Sequence, residues 1–198
     1  MSKKNAILLA ATRLFSQKGY DGAAMAELSK MTGAAGGTIF HHFKNKEQLF
    51  LHILGNIEKT LVARFEAHLD TEQYPTGLAM VEGAVTFYLH LAGTMEDQFL
   101  LLHRHFPYKM AKTNPVCRRH LESIYDCLLN IFEKGIAMGR QDGSIGDVPP
   151  RHTAMILFSM VDGIIRLHTY SLYDAGALYA ALMDSCRKVL AETAVAEQ

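Results

Sequence analysis

The sequence predicts an all-α chain of about nine helices, in which a three-helix head containing a helix-turn-helix precedes a larger helical body. Three observations predict it. Apolar residues recur at helical spacing along nearly the whole chain, and no segment sustains the period-two alternation that a sheet requires. Gly and Pro fall between the apolar stripes, where helices would be separated. The composition also suits a packed core: of 198 residues, 49% are hydrophobic and 20% charged, enough apolar material to offset chain entropy.

The elements follow in order. Ile7, Ala10, Ala11, Leu14 and Phe15 form the first stripe, closed by Gly19, which suits a positive backbone φ after a helix C-terminus. A short second helix covers about 24–31, with Met25 and Leu28 inward, and Gly33 turns the chain into a third over 35–42. Asn45 can cap a fourth, whose first turn holds Glu47 and Gln48 and whose stripe runs Leu49, Ile53, Ile57, Leu61, Phe65. Extending to about His68, that helix would be roughly 35 Å long, a lever between two domains. Pro75-Thr76-Gly77, Pro107, Pro115, Gly139–Gly146 and Pro149-Pro150 then divide the remainder into helices near 77–94, 96–105, 115–139, 150–172 and 175–193. No internal repeat is visible.

Charge is distributed unevenly. The net charge is zero, yet the first fifty residues hold seven Lys/Arg against three Asp/Glu, so a polyanion is drawn to one end of the molecule. The start, Lys3-Lys4 before Ile7-Leu8-Leu9-Ala10-Ala11, imitates a secretory leader only until Arg13 interrupts it, and it reads as a helix. No run reaches the ~18 uncharged apolar residues of a membrane span, which predicts no membrane partner. Three cysteines, Cys117, Cys127 and Cys186, are too few and odd in number for a disulfide framework; a reducing cytoplasm fits best.

The helix, turn, helix around Gly33 could place its second member in a major groove. The full run from Ile7 to Phe50 goes further. Ala10-Ala11 with Leu14-Phe15, Gly19-Tyr20, Leu28, Gly33, Gly37-Thr38-Ile39-Phe40, His42-Phe43, Lys46-Glu47 and Leu49-Phe50 resemble, in order, the DNA-binding domain of the tetracycline-repressor (TetR) family. The likeness is specific over roughly the first fifty residues and loose beyond, carried there by helix count, length and Val161-Asp162-Gly163.

The resemblance implies a DNA-binding domain over 1–46 and a ligand-binding and dimerisation domain over 47–198. It implies a homodimeric transcription regulator, most simply a repressor, that leaves double-stranded operator DNA when a small apolar or aromatic effector binds. Thr38, His42 and Lys46 then stand where relatives contact phosphates, Lys46 beside the positive end of the fourth helix. Phe40 keeps the ring of a usual tyrosine without its hydroxyl. Gly36 sits where a base-reading side chain is common, and Ala35 and Ala23 replace a usual Ser and Thr. With Gly37, this recognition helix is poor in side chains that read base edges. His41, Lys30, Lys3, Lys4 and DNA shape should take a larger share, giving modest sequence discrimination and strong salt dependence. The same sparseness allows an alternative, a helical ligand- or partner-binding protein with weakened DNA affinity.

The body is less legible. Met80, Phe87, Tyr88, Met95, Phe99, Phe106, Tyr108, Met110, Tyr125 and Phe132 supply bulky, adaptable side chains, and Phe87, Tyr88, Phe99, His103, Phe106 and Tyr125 are the expected pocket wall, with ordinary core as the plainer reading. Met155, Ser159 and Gly163, with Leu178, Ala181, Leu182 and Ser185, present apolar faces studded with small residues, the expected two-fold interface. No metal or other cofactor is expected. His41 and His42 are adjacent and point about 100° apart on a helix, while Cys117 and His120 make only two ligands. The Gly33, Gly36, Gly37, Thr38 cluster lacks the lysine and preceding strand of a phosphate loop. No nucleophile-base or paired-carboxylate motif suggests an enzyme.

Overall fold

The protein, described here over residues 2–191 by a computed structural model, is helical throughout, with no strand among those residues. Ten helices follow one another: α1 (Lys3–Gly22), α2 (Met25–Thr32), α3 (Gly36–His42), α4 (Lys46–Thr71), α5 (Gly77–Thr94), α6 (Glu96–Leu102), α7 (His105–Ala111), α8 (Pro115–Asp142), α9 (Pro150–Thr169) and α10 (Ala175–Leu190). The extra helix beyond the nine expected is α7. Pro107, read from sequence as a break, occupies the first turn of α7, where its missing N–H has no intrahelical partner to lose. The expected ends at 172 and 193 also differ. α9 stops at Thr169, ahead of Ser171 with its φ of 55°, and the last residues of the expected 175–193 helix lie outside the described part.

Packing groups the chain into two compact units that cut across the sequence. The first takes α1–α3, α4 as far as Phe65, and Met95–Ile124; the second takes Glu66–Thr94 and the chain from Tyr125 onward. The unit containing the head therefore extends well past residue 46, because α6 lies along α1.

In the first unit, Ile7, Leu14, Phe15, Leu28, Ile39, Phe43, Leu49 and Phe50 are buried, which realises the stripes of all four N-terminal helices in one core. Gly19 takes φ 71° and ends the regular part of α1, and Gly33 takes φ 64° between α2 and α3, both backbone states that favour glycine. Asn45 caps α4 as its side chain suggests, accepting from the Gln48 N–H at 2.8 Å. Arg104, just after α6, donates from Nε and Nη2 to the Ser16 carbonyl at 2.9 and 2.6 Å and from Nη2 to the Gln17 carbonyl at 2.8 Å. Ser16 in turn donates its hydroxyl to Asp97 at 2.6 Å. Two carbonyls near the C-terminal end of α1 are thus held by a guanidinium.

In the second unit α5 and α8 meet backbone to backbone. A Cβ on Gly77 would lie 2.0 Å from the Gly139 nitrogen and 2.3 Å from the Gly135 carbonyl oxygen. The start of α5 is satisfied from the end of α8, where Asp142 accepts from the Gly77 N–H at 2.7 Å and Ser144 from the Leu78 N–H at 3.1 Å. Hydrogen bonds made to Asp142 itself, from the Ser144 side chain foremost and then from the Gly77 and Ser144 N–H groups, hold its carboxyl below the usual range. α9 packs on α5 and α10 on α9. Arg151 of α9 reaches Asp126 and Glu133 of α8, each at 3.2 Å, and Arg187 of α10 reaches Glu82 of α5 at 2.6 Å.

Candidate nucleic-acid interface

The short α3 buries Ile39 and leaves Gly37, Phe40 and His41 outward, Phe40 being 49% exposed. Local sequence explains why it is brief and weakly capped. Its N-cap is Ala35, which has no side-chain acceptor, and the cap of α2 is Ala24, equally bare. Ala23, noted in the sequence as a lost cap, is instead buried against the core. Gly36 and Gly37 are not forced by space, since an added Cβ would meet at most Ser29 Oγ at 3.8 Å beside Gly36 and nothing within 4 Å at Gly37. The emptiness of this helix face is therefore a property of its sequence and not of crowding.

Several of the expected contact residues come together. Lys3 at the start of α1, Ala35 before α3 and Thr38 within it share the lining of one recess of about 310 Å³. Lys4 lies with its ammonium 5.8 Å from the centre of the Phe43 ring, and the His41 and His42 rings meet edge to face at 5.5 Å. Lys46, expected at a phosphate, stands at the start of α4. Its ammonium lies 4.7 Å from the centre of the Tyr20 ring and 5.8 Å from that of Phe15, a pair of cation-π contacts inside the head. Burial lowers its pKa, partly opposed by Asp21.

The six residues expected at a pocket wall divide between the two units. Phe99, His103 and Phe106 belong to the first unit, where Phe99 and His103 are buried core. Phe106 stacks on Tyr20 at 3.7 Å and meets Phe50 edge-on at 5.1 Å, so it extends an aromatic core with Phe15. Phe87, Tyr88 and Tyr125 belong to the second unit. There Phe87 stacks on His68 at 3.9 Å, Tyr88 donates to Asp162 at 2.7 Å, and Tyr125 meets Phe158 edge-on at 5.6 Å. A recess that sequence reasoning did not single out, of about 510 Å³, lies among Leu89, Ala92, Gly93, Ile165, His168 and Tyr179 of α5, α9 and α10. Its signal was weak, being small and aliphatic residues spread over three helices.

Of the residues expected between subunits, Met155, Ser159, Gly163, Leu178 and Ala181 lie outward, with Met155 49% and Leu178 37% exposed, and Ser185 is half-buried. Leu182 corrects that expectation: at 3% exposure it fills the core of its own unit. Ile156, Leu167, Leu172, Tyr173 and Tyr179 enlarge the exposed apolar face beyond what the stripe suggested. No group of three or more metal-ligating side chains occurs among the described residues. Cys117 is buried, with its thiol donating to the Pro107 carbonyl at 3.4 Å, and His120 pairs with Glu58. No single described helix is long and apolar enough to cross a membrane.

Comparison with known proteins agrees with this geometry. The sequence pattern of bacterial regulatory proteins, tetR family, matches residues 7–53. The transcriptional repressor AcnR of Corynebacterium diphtheriae is 29% identical over 167 residues, which span 82% of this chain and 79% of that one. A putative transcriptional regulator from Saccharomonospora viridis, solved with choline, superposes with a TM-score of 0.85 at 21% identity over 96% of this chain and 98% of that one. The regulator FadR of Bacillus subtilis, solved with stearoyl-CoA, superposes with a TM-score of 0.73, again at 21% identity, over 93% of this chain and 98% of that one. At such identities the two structures establish likeness of fold.

Proposed function

Because the chain belongs to the tetracycline-repressor (TetR) family of bacterial regulatory proteins, we propose that it represses transcription in the cytoplasm as a homodimer that grips operator DNA through α1–α3 and lets go when a small effector binds. The observation that carries the reading is the recess shared by Lys3, Ala35 and Thr38 beside an outward face of Gly37, Phe40 and His41. A slender helix flanked by cations matches a major groove about 12 Å wide, with phosphates at both edges. Lys3, Lys4, Thr38 and His42 hold the backbone in this reading, and Phe40 and His41 meet the bases. Few donors face the base edges, so affinity rests largely on phosphate contacts and discrimination on DNA shape.

The division of labour remains 1–46 for DNA and 47–198 for effector and dimer contacts, although packing ties the head to α6 and α7 as well. Exposure of Met155, Ile156, Leu178 and Tyr179 supports a self-complementary helical interface around Gly163, where an added Cβ would meet nothing within 4 Å. The recess among Leu89, Ile165 and Tyr179 suits a small apolar or aromatic effector. Choline and stearoyl-CoA, held by the two regulators of this fold, support a ligand-responsive body.

Release requires that the effector bind the DNA-free arrangement more tightly, and DNA must then weaken effector binding by the same factor. The test is fluorescence anisotropy with DNA upstream of the protein's own coding region, at low and moderate salt. Tight binding that falls steeply with salt is the expected result. Absence of binding at low salt discards the reading, and unchanged DNA affinity with an effector demonstrably bound discards the switch.

A further inference from the structure

The first unit holds a second groove, of about 460 Å³, bounded by α1, α4 and α8. Its lining carries four basic side chains, Lys4, His52, Lys59 and His120, with aliphatic surface from Leu51 and Val116, and no carboxylate. The basic wall is held in place. His52 Nδ1 lies 2.8 Å from the Gln48 carbonyl oxygen, and its ring meets Phe43 edge-on at 5.3 Å. His120 Nδ1 bonds Glu58 at 2.5 Å, which orients the ring and engages the neighbouring acid. The glycine of α4 stands opposite: a Cβ on Gly55 would come within 3.1 Å of His120 Cε1. A methyl at 55 would require the ring to give by a few tenths of an ångström.

We propose that this groove is a binding site for a small amphiphilic anion, a carboxylate on a short aliphatic chain, separate from the effector recess in the second unit. The two ammonium groups of Lys4 and Lys59 define the charge of the guest, and the aliphatic strip from Leu51 to Val116 defines its body. Lys59 and Lys4 meet the carboxylate. The consequence for regulation rests on the DNA-binding reading above: Lys4 is also proposed to hold a DNA phosphate, so an anion in the groove competes for the same ammonium and weakens DNA binding.

The chain contains no tryptophan, which allows a reporter confined to this site. Val116 is 38% exposed, so Val116→Trp places a lone indole on the groove wall at little cost to the core. Octanoate is titrated without DNA, alongside octan-1-ol, which lacks the charge, and inorganic phosphate, which lacks the chain. The expected result is a saturable shift in tryptophan emission with octanoate, half-complete at a concentration about tenfold lower than for either control, and moved up about tenfold by adding Lys59→Glu. An equal response to octanol or to phosphate, or indifference to Lys59→Glu, overturns the proposal. Calorimetric titration of octanoate into the unmodified chain and into Lys59→Glu guards against damage by the reporter; equal affinity in the two also overturns it. If octanoate binds as expected while no DNA fragment does, the groove stands and the repressor reading falls.

Discussion

Replacing Arg104 should unfasten α1 from the segment that follows α6, and the size of the effect can be worked from the geometry. Its guanidinium makes three hydrogen bonds to two carbonyls, Ser16 and Gln17, at 2.6 to 2.9 Å. A hydrogen bond to a charged group contributes about 1.5–3 kcal/mol when buried. Arg104 is half-buried and two of its three bonds share one acceptor, so the bonds do not add in full. Arg104→Ala should therefore cost about 2–3 kcal/mol, roughly a thirty- to 160-fold loss in the folded-to-unfolded ratio. For a chain of this length that corresponds to a fall in Tm of roughly 4–12 °C. Arg104→Lys keeps a positive charge at the C-terminal end of α1 but not the planar fork, and should recover less than half of the loss. Because Asp97 accepts from the same Ser16 whose carbonyl Arg104 holds, Asp97→Ala and Arg104→Ala should combine less than additively. Urea and thermal unfolding followed by circular dichroism read the parent and all four variants, the double one included. Arg104→Ala within 0.5 kcal/mol of the parent, or Lys equal to Arg, would refute the idea that this clamp fastens α1.

Three further outcomes are expected. Ala35→Ser gives α3 the side-chain acceptor it lacks and should stabilise the protein by about 1 kcal/mol; a DNA titration should show equal or tighter binding, and a looser complex would contradict the proposed orientation of α3. Burial pushes the Cys117 and Cys186 thiols up to about 11, so the unfolded chain loses these protons first. Their contribution to stability should accordingly be complete below the ordinary thiol range near 9 and disappear as pH rises from there towards 11, a decline that Cys117→Ala/Cys186→Ala should flatten in urea titrations across that window. Gly77→Ala drives a methyl into the backbone of α8 and should destabilise by about 3 kcal/mol or more, while Gly93→Ala, whose Cβ meets nothing within 4 Å, should be neutral or mildly stabilising; similar unfolding midpoints for the two would show that the crossing yields easily.

The head was legible because its signals are local. Gly19, Gly33 and Asn45 each act on the backbone within a few residues, and the stripe through Ile7, Leu14, Phe15, Leu28 and Ile39 requires only helical periodicity. The aromatic residues of the middle helices were not legible in the same way. Phe106 and Phe87 look alike in sequence, yet one stacks on Tyr20 and the other on His68, in different units, and only the order of packing decides which. Leu182 shows the same limit at the scale of one turn, since Leu178 before it lies outward on the same helix. The ring contacts of Lys46 were likewise not legible, since a flexible four-carbon stem lets an ammonium reach rings as readily as phosphates.

The meeting of Gly77 with Gly135 and Gly139 bears on how the larger domain moves. Where two helices come this close main chain to main chain, side chains such as Val81 beside Gly135 fill only the flanks of the contact, so the usual small slippages between packed helices are hindered there. An effector that rearranges α5 against α8 must rotate them about this fixed fulcrum. Displacement would then grow with distance from residue 77 and be largest at the far end of α5, a gradient that distance measurements between spin labels would trace directly.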